Sequence, residues 1–206
     1  MNLYEHWILP PLLDFVMRQR PLEKYRREVI ASASGRVLEI GVGSGLNFPF
    51  YGKQVEIVIG IDPSARLLAM ARRRAAAASI HAILIQGTAT AIPLADGTVE
   101  TVAMTWTLCS IPDPLLALHE MRRVLKPDGR LLFIEHGLSP AAGVERWQHR
   151  LTPMWGRISG GCHLDRKMDD LIRSAGFELT ELRNEYADGP RIMTYMYEGS
   201  ALPAVR

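Results

Sequence analysis

The alternation of apolar runs with amphipathic runs from residue 36 onward constrains the fold most. Five short apolar runs, at 36–41, 56–62, 81–86, 99–105 and 130–135, alternate with helix-like stretches such as 64–78 and 113–125. Such alternation is typical of crossover units around a parallel sheet. A last helix over 165–175 and two closing strands, 177–185 and 191–198, complete the pattern. The sequence therefore predicts an α/β protein with a doubly wound, mostly parallel seven-stranded sheet.

Charge and hydropathy limit the choice of partner. The 24 Lys and Arg residues exceed the 22 Asp and Glu residues by only two, which is too weak a field to indicate nucleic acid or an anionic membrane. The apolar start lacks the basic residues of a secretory signal and is interrupted by Pro10, Pro11 and Asp14. No other run approaches the ~20 apolar residues of a membrane span. We expect a cytoplasmic protein without nucleic-acid partners or stable membrane insertion, either a monomer or a homodimer.

The strongest local signal is the strand-to-turn segment VLEIGVGSGLNF. Gly41, Gly43 and Gly45 follow the first strand, where a sharp turn and a close ligand approach both favour residues without Cβ. Asp62 ends the next strand, close to the ~20-residue interval at which an acidic side chain accepts hydrogen bonds from ribose hydroxyls. Asp62 could instead cap the helix that begins near Ser64, and the two roles are compatible.

The spacing of the glycines distinguishes two nucleotide cofactors. A dinucleotide loop has the pattern G-x-G-x-x-G, but Leu46 stands where its third glycine would be. The observed G-x-G-x-G spacing is that of S-adenosylmethionine enzymes. Hydride transfer with a nicotinamide cofactor is therefore the weaker interpretation.

Four segments resemble the Rossmann-like class I S-adenosylmethionine-dependent methyltransferases: VLEIGVGSG, GIDPS, LADGTVETV and VLKPDGRLLFIE, between about 35 and 135. The segments TLCSI, FIEHG, WQHRLTPMW and GGCHLDR look like the methyltransferase-like seven group, whose members methylate alkyl thiols. The resemblance implies one domain over 1–206. Within it we expect an N-terminal helical lid (1–33, broken near Pro21), a cofactor-binding core (34–136), a substrate-side insertion of irregular structure (137–164), and a closing helix and strands (165–206).

The same resemblance implies which residues contact S-adenosylmethionine. Thr88 stands where many relatives have an acidic side chain, so backbone groups would read the adenine edge here. The full predicted cofactor set is Glu39, Gly41, Gly43, Gly45, Asn47, Asp62, Pro63, Ser64, Gly87, Thr88, Ala89, Thr105 and Leu108.

Methyl transfer needs donor and acceptor in line, and it needs no covalent enzyme intermediate. Trp106, directly after the fourth strand, is predicted to stabilise the sulfonium by a cation–π contact, although it could equally be a core residue. His136, at the end of the fifth strand, is preferred over its neighbour Glu135 as the group that positions or deprotonates the acceptor. A structural strand-end histidine is the alternative.

His163 is a second candidate for the acceptor side, although Asp165 and Arg166 beside it could simply cap the following helix. Tyr4, Trp7, Trp147, Trp155 and Cys162 are predicted to line the substrate side. Cys109 and Cys162 lie far apart in the chain without metal-ligand spacing, so no metal site is predicted.

Together these features predict methyl transfer from S-adenosylmethionine to the sulfur of a small thiol. Methylation of nitrogen, oxygen or carbon on a small or phospholipid-like acceptor is the alternative.

Overall fold

The computed structural model describes residues 3–204, and seven strands form the framework of that part of the chain. They are β1 (Gly35–Ile40), β2 (Val55–Asp62), β3 (Ala82–Gln86), β4 (Val99–Thr105), β5 (Leu125–His136), β6 (Phe177–Tyr186) and β7 (Tyr195–Pro203). They form one sheet in the order β3-β2-β1-β4-β5-β7-β6. The first five strands are parallel, and β7 runs antiparallel between β5 and β6. The predicted fold class is confirmed.

Within the described residues, six α-helices accompany the sheet: α1 (Leu9–Met17), α2 (Arg20–Ile30), α3 (Ala65–Ala77), α4 (Pro114–Val124), α5 (Ala142–Ile158) and α6 (Met168–Ser174). A π-helical turn, Tyr4–Ile8, precedes α1, and a 3-10 turn, Phe48–Phe50, follows β1. Residues 1 and 2 of the predicted N-terminal helical lid (1–33) lie outside the described residues. Among residues 3–204, no helix combines the length and apolarity that a membrane crossing requires.

The central strands are buried on both faces, and their carboxyl ends lie together at one edge of the sheet. On β1, Leu38 and Ile40 pack into one large apolar cluster, whereas Val37 packs into the cluster on the opposite face. Ile40 is in register with Ile61 of β2 and with Met104 of β4. Because the parallel strands end together, the residues that follow them border one crevice, where ligands bind in sheets of this type.

The segment after β5 differs from the prediction. Residues 137–164 were expected to be irregular, but most of them form the 17-residue helix α5. Pro153 lies inside this helix and cannot donate its backbone hydrogen bond, which is why the sequence pattern concealed the helix. The hydroxyl of Thr152 donates to the carbonyl of Gln148 at 2.8 Å in the same turn.

The segment KPDGR, in which Pro127 and Gly129 are typical turn residues, belongs to a strand. It lies within β5, where the register with β4 shifts between the pairs Val99–Leu125 and Thr101–Arg130. The final helix also begins later than expected, at Met168, and β7 begins at Tyr195 after a turn. These corrections move element boundaries and leave the number of strands and the fold class as predicted.

Candidate active site

A cavity of about 590 Å³ lies at the carboxyl ends of β1, β2 and β4, beneath α1. Its size is that of a small-molecule site. Predicted cofactor residues that line it are Glu39, Gly41, Gly43, Asn47, Asp62, Pro63, Ser64, Gly87, Thr88, Ala89 and Thr105. Two members of the predicted set do not line it, because Gly45 packs against Phe48 and Leu108 is fully buried in the core.

The glycine turn after β1 provides backbone without side chains at the cavity wall. Gly41 and Gly43 have φ angles of 64° and 54°, in the left-handed region that glycine adopts without strain. A Cβ on Gly41 would overlap the side chain of Thr107. The turn therefore requires glycine at position 41 for both conformation and space.

Asp62 connects this turn to the start of α3. Its two carboxylate oxygens accept hydrogen bonds from the backbone N–H of Gly43 at 3.0 Å and of Ser64 at 2.8 Å. The helix cap itself is Ser64, whose hydroxyl accepts from the N–H of Leu67. Burial raises the pKa of Asp62, and the two N–H donors oppose that rise. A carboxylate has about four acceptor positions, so two contacts leave capacity for ligand hydroxyls.

Glu39 is the most deeply buried carboxylate of the site, and two side chains of the protein donate hydrogen bonds to it. Asn47 donates to one oxygen and Tyr51 to the other, both at 2.8 Å. Burial raises the pKa of Glu39 to about 7, against the opposing effect of these hydrogen bonds and of Arg26. Glu39 therefore takes up a proton more readily than an exposed carboxyl group does.

Arg26 on α2 is a buried cation at the cavity that the sequence analysis missed. It is 3% exposed, donates to the Asn47 side chain at 3.1 Å and to the Met17 carbonyl at 3.1 Å. Its guanidinium also lies over the ring of Trp106, 4.6 Å from the ring centroid. Burial lowers the pKa of Arg26 to about 10, which leaves it charged at neutral pH. Because YRRE resembles any solvated helix face, no local signal distinguishes this arginine.

Trp106 lines the cavity in a strained conformation. Its φ of 50° places a bulky side chain in the left-handed region, a feature that clusters at functional sites. One face of its ring is already occupied by Arg26, and Tyr25 contacts it edge-on. The predicted sulfonium contact would have to use the remaining surface of the ring.

Glu135 explains why β5 ends on titratable residues. Its carboxylate is fully buried and accepts hydrogen bonds from the backbone N–H groups of Thr107, Leu108 and Cys109, at 2.8, 2.8 and 3.4 Å. Burial raises its pKa to about 7, against the opposing effect of these donors. Glu135 therefore holds the turn that follows β4, which we call the β4 turn (residues 106–110).

His136 does not reach the cavity, and neither does Glu135, so the structure corrects the prediction that one of them faces the pocket. The β4 turn lies between β5 and the cavity. His136 Nε2 instead lies 3.0 Å from the sulfur of Cys162. Burial opposes the imidazolium, but the interaction with Cys162 outweighs it and raises the pKa of His136.

The two cysteines meet at this same place, although they are distant in sequence. Hydrogen bonding to Cys162 raises the pKa of the Cys109 thiol, while the same contact and His136 lower the pKa of Cys162. Cys109, His136 and Cys162 bring their ligand atoms within 4.8 Å of one another. We call them the Cys–His cluster.

The other predicted acceptor-side residues do not line the cavity. Trp7 and Trp147 are 58% and 54% exposed, and Trp155 packs against the main core cluster. Tyr4 donates to the carbonyl of Ile158 at 2.6 Å. His163 lies on the surface with Nδ1 3.6 Å from Asp165.

Apolar side chains of α1 cover the cavity: Leu9, Leu13 and Met17. A polar contact fastens this helix to the core. Asp14 accepts from the Ser44 hydroxyl at 2.5 Å and from Arg74 of α3 at 3.0 Å. A carboxylate inside an apolar amphipathic run was the one sequence signal that could have identified this contact.

Comparison with known proteins agrees with this geometry. Residues 38–133 match the family described as a methyltransferase domain. The chain is 30% identical over 178 residues to the human thiol S-methyltransferase TMT1B, covering 81% of this chain and 72% of that protein. It is also 30% identical to a phosphatidylethanolamine N-methyltransferase of Cereibacter sphaeroides, over 69% and 72% of the two chains.

A solved S-adenosylmethionine-dependent methyltransferase of Leishmania major superposes with a TM-score of 0.71 at 16% identity, over 96% of this chain and 80% of that one. The doubly wound sheet and the cavity at its carboxyl edge define the class I methyltransferase architecture. The chain belongs to the S-adenosylmethionine-dependent methyltransferases, and S-adenosylmethionine is its cofactor.

Proposed function

We propose that this methyltransferase acts on the sulfur of a small thiol. The thiol S-methyltransferases among its relatives support this acceptor class, and so does the composition of the cavity wall. The described residues that line the cavity include no histidine, lysine, cysteine or tyrosine. The four carboxylates among the described lining residues, Asp14, Glu39, Asp62 and Asp113, all accept hydrogen bonds from the chain itself.

The lack of a histidine, lysine, cysteine or tyrosine among the described lining residues carries the proposal. A free thiol has a pKa near ~8.5, so a few per cent is thiolate at neutral pH without help. Alkyl amines and phenols titrate near ~10, and therefore depend much more on an enzyme base. A thiol is therefore the acceptor that depends least on a base among the residues that line the cavity.

Arg26 provides the electrostatic contribution in this proposal. It is the only cationic side chain among the described lining residues, and its contacts with Asn47 and Trp106 fix its position. A fixed guanidinium stabilises an approaching thiolate and lowers the pKa of the acceptor thiol. The thiol proton is released to solvent. The thiolate sulfur would then bond to the methyl carbon, in line with the sulfonium carbon–sulfur bond that breaks.

The residues present fit the cofactor. Gly41 and Gly43 leave room for its close approach, and Asp62 keeps acceptor capacity for its ribose hydroxyls. Glu39 and Thr105, near the deep end, would lie around its methionine part. When bound, S-adenosylmethionine supplies an electrophilic methyl group on a sulfonium.

The test is a product assay with methyl-labelled donor and acceptors of matched size: an alkyl thiol, the corresponding amine, the corresponding alcohol and a phenol. We expect label in the thioether and at least ~100-fold less in the other products. Preferential labelling of the amine, as the N-methyltransferase relative would suggest, would overturn the thiol assignment.

A pH series separates acceptor ionisation from an enzyme base. In a set of thiols with different solution pKa values, the rise of kcat/KM with pH should follow the pKa of each thiol. A break at one fixed pH for every thiol would show that an enzyme group removes the proton. In the pH profile of kcat, which reports ionisation in the enzyme–substrate complex, Arg26→Met should move each break toward the solution pKa of the free thiol, whereas Arg27→Met on the exposed side of α2 should not.

A further inference from the structure

The Cys–His cluster joins three separate segments behind the cavity. Cys109 lies in the β4 turn, His136 ends β5, and Cys162 lies in the loop after α5. Among the described side chains of residues 3–204, these three are the only group of three or more possible metal ligands close enough to share one ion. Cys109 and Cys162 are 3% and 9% exposed, and His136 is half-buried.

We propose that Cys109, His136 and Cys162 bind one Zn²⁺ ion. Thiolate and imidazole donors select zinc over magnesium or calcium, which require oxygen ligands. Donors bonded to one tetrahedral zinc at ~2.0–2.3 Å lie about 3.3–3.8 Å apart. The three atoms, all within 4.8 Å and with the His136–Cys162 pair at 3.0 Å, need only small side-chain shifts to reach that arrangement.

The backbone already holds the ligands in place. The N–H of His163 donates to the carbonyl of Cys109 at 2.8 Å, which joins the Cys162 loop to the β4 turn. Arg166 donates to the carbonyls of Leu108 and Ile111 at 2.5 and 2.8 Å. Such fixed surroundings lower the cost of ordering the ligands, as in other metal sites with a structured outer shell.

Charge and position indicate what the ion would do. Two thiolates neutralise Zn²⁺, so the bound cluster adds no net charge to the core, and water completes the coordination on the half-buried side of His136. The cluster lies outside the cavity lining, so the ion would hold the β4 turn against the end of β5 without entering the reaction. Its binding is therefore independent of the identity of the methyl acceptor.

The test uses Co²⁺ as an optical probe for the zinc site. The full-length protein is reduced, freed of metal with a chelator and titrated with Co²⁺. We expect thiolate-to-cobalt charge-transfer absorption and tetrahedral ligand-field bands that saturate at one ion per chain and disappear when Zn²⁺ is added. Absence of charge-transfer absorption in the wild-type protein would overturn the proposal, whether or not any variant folds.

Substitutions locate the site. Zn²⁺ bound at this site should raise the Tm of the wild-type protein. Cys109→Ser and Cys162→Ser should each weaken Co²⁺ binding at least ~100-fold and abolish that rise in Tm. His119→Gln, which removes an exposed histidine of α4, should leave both unchanged. Unchanged Co²⁺ affinity in the two cysteine variants would assign the binding to another place and contradict the proposal.

Discussion

The wall predicted to bind the cofactor, here the cofactor side, and the wall predicted to face the acceptor, here the acceptor side, are built in opposite ways. On the cofactor side, the ends of β1 and β2 present bare backbone at Gly41 and Gly43, and the carboxylate of Asp62 lies at the wall. On the acceptor side, the β4 turn covers the end of β5, and the Glu135 carboxylate accepts hydrogen bonds from three backbone N–H groups. One side keeps polar groups available to a ligand, and the other uses them to maintain its own shape.

Glu39 and Glu135 show this difference within one residue type. Both are buried near the ends of parallel strands, and burial raises the pKa of each to about 7. Glu39 is held by two side chains and borders the cavity, whereas Glu135 is held by backbone and does not. Substitutions on the two sides should therefore have different consequences, stability on the acceptor side and ligand affinity on the cofactor side.

The largest effect is expected for Glu135→Ala. It removes the acceptor of three backbone N–H groups, two of them at 2.8 Å, and unsatisfied buried donors cost ~1–3 kcal/mol each. We expect about 3–5 kcal/mol less unfolding free energy in urea denaturation. Glu135→Gln, whose amide oxygen can still accept from Thr107 and Leu108, should lose less than half of that amount. Equal losses in the two variants would disprove the role assigned to this carboxylate.

Asp62→Ala should act mainly on ligand affinity. Loss of charge-assisted hydrogen bonds worth ~1.5–3 kcal/mol each predicts at least ~100-fold weaker binding of S-adenosylhomocysteine by calorimetry. Asp96→Ala, at an exposed carboxylate away from the cavity, is the matched control. Binding within threefold of wild type would mean that Asp62 serves only to fix the glycine turn.

The stability of the protein should depend on the ionisation of Glu39. Burial raises its pKa from 4.5 to about 7, so the native state binds a proton more tightly than the unfolded state. The resulting stabilisation is fully present below pH ~4.5 and is lost as the pH rises through about 7. Relative to Glu39→Gln, the wild type should therefore lose on the order of 2–3 kcal/mol between pH 4.5 and 7.5. Parallel urea-unfolding profiles of the two proteins across this range would contradict the pKa shift.

The smallest effect on stability is expected for Arg26→Met. It replaces a buried cation by an apolar chain of similar length and removes the contacts with Asn47 and Trp106. Because loss of those contacts is offset by a lower desolvation cost, we expect a change of about 1 kcal/mol or less in unfolding free energy. Thiol methylation should still fall by ~10-fold or more. A loss of stability without a loss of turnover would place Arg26 outside the chemistry.

The same contrast determines how much could be predicted from sequence. The number of strands and the fold class follow from alternating patterns. The contacts of Asp62 and Ser64 at the start of α3 lie within a short segment, so local spacing reveals them. The meeting of Arg26 with Trp106, and of Cys109 with Cys162, depends on how distant elements pack. The spacing of residues along the chain does not indicate such contacts. His136 was correctly placed at a strand end, but its surroundings depended on the β4 turn, whose position no local pattern indicated.

Asp14 fastens the cover of the cavity by a contact that ionic strength hardly affects. The helix above the cavity is joined to the core through a carboxylate that pairs with Arg74 and Ser44, and part of its apolar surface, including Phe15, faces outward. Dissolved salt screens a largely buried ion pair only weakly, and the exposed fractions of the Arg74 and Asp14 side chains are 27% and 8%. Salt should therefore change the exchange of the cofactor with its demethylated product, and the equilibrium affinity of either, very little. For an enzyme that must release one large ligand and admit another in every cycle, this single contact would make the opening rate of the cavity cover a property of the chain and not of the surrounding medium.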